Sequence, residues 1–296
     1  MNKRTGRDMV YLILHYNAIE ETMACVDSIR AMPSYPQSAI VIVDNASPDG
    51  SGAKLEQKYA ADGQITVIRN GENSGFSKGN NLGYRYIRER FDAAFLTVCN
   101  NDIVFPEQAY TEKVRDIYNR TGFSVLGPDI WNPELSIHQS PLGKTSPDTQ
   151  AVRRTIWLNG IANRTFPVFW PLVGKRDARQ RFGARKDAAN HEQEQENVPL
   201  MGACLILSKE FIRQKETLFE PETFLYYEEY LLYNHCRRQE MKMIYSPEIR
   251  VIHREGRATV SESDNERERY RRLVRNTLAA AKIYLKDLEK DNEGNG

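Results

Sequence analysis

The feature that most constrains this chain is an alternation repeated through its first hundred residues. A short, almost wholly apolar run is followed by a stretch with helical spacing, and the unit recurs. The apolar runs are residues 9–16, 39–43, 65–68 and 93–98. A strand with one wet face alternates apolar with polar residues, whereas a strand covered on both faces reads as a continuous apolar run. Between the runs, residues 20–32 place Met23, Val26 and Ile29 at helical spacing, and Pro33 stops them. Ser47-Pro48-Asp49-Gly50 gives a turn and helix start, and residues 54–60 read as helix. Residues 78–90 put Leu82, Tyr86 and Ile87 on one helical face. The fold class that satisfies this pattern is α/β, a mostly parallel sheet flanked by helices. Ligands of such sheets bind outside the carboxyl ends of the strands, so the polar residues closing each apolar run carry the functional argument.

After Pro106 the pattern changes. Residues 107–119 read as helix and 124–126 as strand. Periodicity is poor from 132 to 197, and loops of that length are functional or disordered; about 140–197 is therefore expected to be a mobile insertion. It contains Phe166-Pro167-Val168-Phe169-Trp170-Pro171-Leu172-Val173, then Lys175, Arg176, Arg179, Arg181, Arg185 and Lys186, then Glu192, Glu194 and Glu196. Order returns with a strand at 203–207, a largely helical stretch at 222–238, two short strands at 242–245 and 249–253, and a long helix at 266–290.

Composition narrows the function classes. A net charge of +1 gives no global field for nucleic acid. The four cysteines, Cys25, Cys99, Cys204 and Cys236, form no CxxC pair, so neither a zinc site nor a disulfide framework is expected. The first residues lack the apolar region of a secretory signal, and no apolar run approaches the roughly 20 residues of a membrane span. The expected location is cytoplasmic.

Five polar punctuations stand out. Asp44, in Val43-Asp44-Asn45-Ala46-Ser47, ends the second apolar run; a carboxylate there accepts hydrogen bonds from a nucleotide or serves as a turn residue. The first run leads into His15-Tyr16-Asn17-Ala18, with no glycine, so the dinucleotide fingerprint is missing where it should stand. Residues 73–81 hold Gly75 and Gly79 for close backbone approach and Lys78 to meet a phosphate at a helix start, although the P-loop spacing is absent. Asn100-Asn101-Asp102 ends the fourth run with oxygen donors suited to a hard cation, and Mg²⁺ needs only one or two protein carboxylates. Glu228 and Glu229 lie among Phe224, Tyr226, Tyr227, Tyr230 and Tyr233. Such a setting raises a carboxylate pKa and suits a base, though a Glu pair is also a common solvated helix turn. His253 ends an otherwise apolar strand, as a structural residue or a metal ligand. Arg271, Arg272 and Arg275 open the last helix as a basic face or a pyrophosphate contact.

Taken in order, these blocks resemble a known family. Residues 43–51 look like its "VDNaSxDgS" stretch, 73–81 like "NxGFaxGnN", and 100–102 like the "NND" variant of its DxD metal motif. Gly202-Ala203 matches a further block, 224–229 looks like "FxYxED", and His253 matches a later histidine. The family is the inverting GT-A glycosyltransferases of family two, particularly the bacterial rhamnosyltransferase-like branch. The resemblance runs from about residue 11 to 276. It implies a single Rossmann-like GT-A domain over 1–296, with a nucleotide-binding half at 1–125, an acceptor and catalytic half at 126–262 and a C-terminal helix at 263–296. It further implies a nucleotide-diphospho-sugar donor, a divalent cation (Mg or Mn) and a glycan or lipid-linked saccharide acceptor. By position, Tyr16, Asn17, Asp44, Asn45, Asn73, Gly75, Lys78, Asn81 and Asn101 would line the nucleotide. Asp102 and His253 would hold the metal, Glu229 would be the base and Glu228 its helical neighbour. Arg275-Asn276 matches a frequent pair. Glu229 replaces the usual Asp, and Leu231 and His235 stand where Asp and Arg are frequent. Two further readings remain open: a nucleotide-sugar-binding protein without catalysis, and an NAD-dependent oxidoreductase, which the missing glycines disfavour. A peripheral contact with the inner face of the membrane is expected of residues 166–186, the apolar run dipping into the interface and the basic cluster facing anionic headgroups.

Overall fold

Strand β1 (Thr5–His15) runs through the interior, paired in parallel with β2 (Ser38–Asp44) on one side and β4 (Phe91–Asn100) on the other. The structure, a computed structural model, describes residues 4–143, 145–183, 188, 190–254 and 266–293, without the side chains of 167–183, 266 and 291–293. β3 (Ile65–Arg69) adds to β2, also in parallel. Helices α1 (Ile19–Arg30), α2 (Ser51–Tyr59) and α3 (Gly75–Arg90) connect these strands, as the alternation predicts.

Both faces of β1 are buried. Met9, Tyr11 and Ile13 join one core cluster with α1 and with α4 (Tyr110–Thr121); Val10 and Leu12 join a second beneath α3. This is why β1 shows no alternation in sequence. The remaining strands extend the sheet past β4. They are β5 (Ile103–Val104), β6 (Val125–Asn132), β7 (Ile137–His138), β8 (Gln195–Glu196), β9 (Cys204–Ser208) and β10 (Met243–His253). The main order is β3-β2-β1-β4-β9-β6-β10-β5, with β7 on β6 and β8 on β10. β9 is antiparallel to both neighbours, so the sheet is mixed beyond β4. The two short strands expected near the end are one strand, β10, with its pairing to β6 irregular between Ser246 and Arg250.

Two other expectations are corrected. The stretch read as an insertion without periodicity contains one long helix, α5 (Thr149–Gly183). It packs along α8 (Glu266–Glu293), with Val152, Ala281, Tyr284 and Leu231 of α7 (Glu228–Arg238) in a third, smaller core. Asn159, Gly160, Asn163, Pro167 and Pro171 lower its intrinsic propensity, and it carries apolar residues on more than one side, so no single helical period shows; packing overrides propensity here. Second, the helix expected from 222 begins only at Glu228, because Tyr226 and Tyr227 have φ of 79° and 70°. Left-handed residues cannot continue a helix. The remaining helix is α6 (Lys209–Gln214). The four cysteines are free and buried, and no helix among the described residues is long and apolar enough to cross a membrane.

The segment before α7 is fixed to α3. Buried Asn81 donates to Phe219 O (2.9 Å) and Glu222 Oε1 (3.0 Å), and its Oδ1 accepts from Phe219 N (2.9 Å). Phe76 N donates to Phe224 O at 2.7 Å. Asn81→Ala strands both backbone groups of Phe219 and should cost about 2–4 kcal/mol. Urea denaturation checks this: the midpoint should fall with an unchanged slope, and an unchanged midpoint would mean the bridge is dispensable.

Candidate active site

The parallel pairing sets the site. His15 lies opposite Asp44 across β1 and β2, and Leu14 opposite Asn100 across β1 and β4, so three strands end at one edge. The chain turns to β2 on one side of β1 and later crosses to β4 on the other. The crevice at that switch is where open α/β sheets bind ligands.

Asp44 is buried at the end of β2, where its Oδ1 accepts from Ser47 N (3.0 Å) and Ser47 Oγ (2.6 Å). Gly52 lies so close that a Cβ there would fall 1.8 Å from Asp44 Oδ2; no other residue leaves room for the carboxylate. Asn17 N donates to Ser47 Oγ at 2.9 Å, tying the β1 and β2 ends together. Asn17 and Ala18 have φ of 57° and 53°, an unusual pair of left-handed residues that turns the chain sharply beside partly exposed Tyr16. His15 is fully buried, with Nδ1 2.6 Å from Thr22 Oγ1 and Nε2 2.8 Å from Ser51 Oγ. Burial pushes its pKa down, against the pull of Asp44 and Asp49. A neutral imidazole thus pins the starts of α1 and α2.

Other sequence-selected residues hold the loops. Asn45 Nδ2 donates to Asn73 Oδ1 and Gly75 O (both 3.1 Å), and its Oδ1 accepts from Asn70 Nδ2 (3.0 Å) and Ser74 N (3.2 Å). Its amide is therefore engaged with protein. Gly75 opens α3, and Lys78 is exposed on its first turn. Asn101 is buried, with Nδ2 3.0 Å from Thr22 Oγ1. Of the residues assigned to the nucleotide, Asn45, Asn81 and Asn101 thus face inward.

β5 follows Asp102 directly and pairs with the end of β10, Ile103 opposite His253. That pairing, with Arg254 N donating to Asp102 O (3.0 Å), sets Asp102 beside His253. His253 Nε2 lies 3.2 Å from Asp102 Oδ1. Close as they are, the two atoms are not aligned as a hydrogen bond: Asp102 Oδ1 is buried with no hydrogen-bond partner among the described residues. The far ring nitrogen explains the arrangement. His253 Nδ1 is 2.6 Å from Gln139 Oε1, which can only accept, so the proton is on Nδ1. A ring nitrogen and a carboxylate oxygen without a hydrogen-bond partner among the described residues, 3.2 Å apart in a buried place, fit a divalent cation, with imidazole and carboxylate as ordinary ligands. No group of three or more His, Cys, Asp or Glu is arranged for metal among the described residues, so the protein would supply two ligands and the substrate and water the rest. A cleft of about 480 Å³ lined by Glu20, Glu21, Asp102, Glu134 and Arg254 opens beside the pair.

The acidic pair of α7 reaches the same edge. Asn100 N donates to Ala203 O (3.0 Å), placing residue 202 next to the β4 end. A Cβ on Gly202 would meet Glu229 Oε1 at 3.0 Å and Cγ at 3.1 Å, so the Glu229 side chain packs against that glycine. Glu228 is the buried member, and its Oε1 has no hydrogen-bond partner among the described residues. Burial, then the Glu229 charge, push its pKa up to about 8, against hydrogen bonds from Thr223 and the backbone at Glu228 and Tyr226. The sequence offered no signal for Gln139 or for the Gly52–Asp44 contact. Gly202 was visible only as part of a family block.

A family model described as "Glycosyl transferase family 2" matches residues 11–172, more than half the chain. The chain belongs to glycosyl transferase family 2. The Haloferax volcanii low-salt glycan biosynthesis hexosyltransferase Agl10 is 24% identical over 250 residues, covering 83% of this chain and 67% of that protein. Among solved structures, S. aureus TarS 1–349 superposes with a TM-score of 0.52 at 12% identity, over 83% of this chain and 60% of that one. GalNAc-T7 with UDP, GalNAc and Mn²⁺ gives 0.57 at 14%, over 88% and 46%. The chain spans about half to two thirds of these relatives' lengths. The fold is GT-A, with a mixed, parallel-rich sheet, flanking helices and a C-terminal helix.

Glu228 supplies a pH test. Its folded pKa is raised, from an ordinary value of 4.5 to about 8. The stability linked to it is therefore fully present below about 4.5 and is lost as pH rises through about 8. Glu228→Gln cannot ionise and should gain melting temperature on the unmodified protein between pH 5 and 9, by about 2–4 °C per kcal/mol of difference. Parallel melting curves across that range would contradict the assignment.

Proposed function

We propose that this protein transfers a sugar from a nucleotide-diphospho-sugar to a hydroxyl of a glycan or lipid-linked saccharide during cell-surface polysaccharide synthesis, inverting the anomeric centre. The observation that carries the reading is the convergence at one sheet edge: Asp44 for the nucleoside, the Asp102–His253 pair for the diphosphate side, and Glu229 across Gly202-Ala203. The first 125 residues would hold the nucleotide and the following half the acceptor, with Tyr16, Asn17, Asn73, Gly75 and Lys78 around the donor. Asn45, Asn81 and Asn101 would act by shaping the loops. Agl10 is named a glycan-biosynthesis hexosyltransferase, which supports a glycan acceptor. The UDP and Mn²⁺ of the GalNAc-T7 structure make them the first donor nucleotide and metal to try. Rhamnose is the first sugar to try, from the motif resemblance. The proposed place of action is the cytoplasmic face of a membrane; of the stretch expected to touch it, residues 166–186, the side chains after Phe166 lie outside the described residues.

In the reaction, the Glu229 carboxylate takes the proton of the acceptor hydroxyl. The oxygen attacks the anomeric carbon from the face opposite the diphosphate; the new C–O bond forms as the bond to the phosphate oxygen breaks, and that electron pair leaves with the diphosphate. Glu228, keeping its proton, leaves one negative charge rather than two beside the attacking oxygen. A divalent cation held by Asp102 and His253 would supply positive charge for the departing diphosphate. His253, oriented by Gln139, and Asp102, oriented by β5, are positioned for that before substrate arrives.

Glu229→Gln is nearly isosteric and cannot accept a proton. It should lower turnover by roughly 10²–10⁴-fold with donor affinity near normal, and Glu228→Gln should do much less. Transfer assays with calorimetry of nucleotide binding check both. If Glu228→Gln is the more damaging, the base is one residue earlier.

A further inference from the structure

Helix α5 has one apolar side too many. Inward it packs through Val152 and Phe166, both buried, against α8. Outward it carries Trp157, Leu158 and Ile161, exposed by 64%, 43% and 41%. Only Leu135 and Phe224 join them as exposed large apolar residues among those described. Spaced i, i+1 and i+4, the three project from one side of the helix. A surface helix packed on a core presents a polar outer face, so a second apolar patch calls for a partner.

The charge that α5 itself carries along residues 149–166 is of one sign. Residues 149–166 contain Arg153, Arg154 and Arg164, all exposed, and no Asp or Glu. Arg154 and Arg164 lie three residues before Trp157 and three after Ile161, bracketing the patch along the helix. Arg153 leans away toward Glu289 of α8, 3.6 Å distant. The first ten residues of α8 add Arg267, Arg269, Arg271, Arg272 and Arg275 against Glu266 and Glu268. Arg267 and Arg271 lie 5.7 and 5.8 Å from the ring centre of Phe166, on the inner side of α5. Aromatic and aliphatic side chains flanked by arginine are what an interfacial helix uses on an anionic bilayer: the apolar groups enter the acyl boundary and the cations meet headgroup phosphates. A second copy of the chain fits less well, because a two-fold contact through this patch would set arginines against arginines.

We propose that the outer face of α5, centred on Trp157, Leu158 and Ile161 and framed by Arg154 and Arg164, docks the protein reversibly on an anionic lipid surface. This deepens the reading of a lipid-linked acceptor, whose saccharide is presented at such a surface. It involves residues distinct from the 166–186 stretch selected by sequence.

Flotation of the full chain with vesicles tests it, and needs neither donor nor turnover, so it is independent of the donor-site reading. The protein should float with phosphatidylcholine–phosphatidylglycerol vesicles, not with phosphatidylcholine alone, and should release as salt rises. Trp157→Ser with Ile161→Ser should lower the partition coefficient about tenfold or more. Arg154→Glu with Arg164→Glu should lower it by at least about fivefold per position. Both variants should keep the melting temperature and nucleotide affinity. Three results would overturn the proposal: the intact protein never floats, the variants float as it does, or the variants instead convert a dimer to a monomer in sedimentation, which would make the face a self-interface.

Discussion

The site depends on the register of β1. Its parallel pairing to β2 and β4 sets His15, Asp44 and Asn100 at one height, and every catalytic assignment is reached from there by a short covalent or hydrogen-bonded step. Asp102 follows two residues after β4. His253 comes through the β5–β10 pairing, and Glu229 through Ala203 and Gly202. Burial on both faces makes this register costly to change, since a one-residue slip would exchange the two core clusters that β1 feeds. The residues beyond the strand ends can therefore be ill-suited to folding, such as left-handed Asn17 and Ala18, because the strands behind them are held independently.

Two buried acids at this edge, Asp102 and Glu228, have different neighbours. At Asp102 the neighbour is the His253 imidazole, oriented by Gln139 and 3.2 Å from a buried carboxylate oxygen that has no hydrogen-bond partner among the described residues. That pair suits a cation. At Glu228 the neighbour is another carboxylate, and burial with like charge holds the proton on Glu228. In the proposed reaction that pair would present a single base. The contrast follows from the partner of each buried acid, not from the acids themselves.

The parallel half of the fold was legible because its signal is local. Strands buried on both faces are unbroken apolar runs, and α1 to α3 show one-sided spacing. The site residues stood out as polar closures of those runs. What could not be read depends on distant partners. α5 was missed because its stability comes from α8 and its two apolar sides blur the period. The start of α7 was misplaced because Tyr226 and Tyr227 are held left-handed in a segment that Asn81 and Phe76 anchor from far away in sequence. Gln139 stands in a stretch without periodicity, and its contact with His253 is visible only in the structure. Exposed and buried amides read alike in sequence, so the bonds that tie Asn45 and Asn81 to the protein appear only in the structure.

The central claim is that the edge built by β1, β2 and β4 gathers a cation-binding pair and a base around one nucleotide. Anomalous diffraction from crystals grown with Mn²⁺ and UDP tests it most directly. The account predicts a manganese peak within coordination distance of both Asp102 and His253, with the diphosphate on its open side and the uridine toward Asp44. A manganese peak elsewhere, or a nucleotide bound away from Asp44, would contradict it.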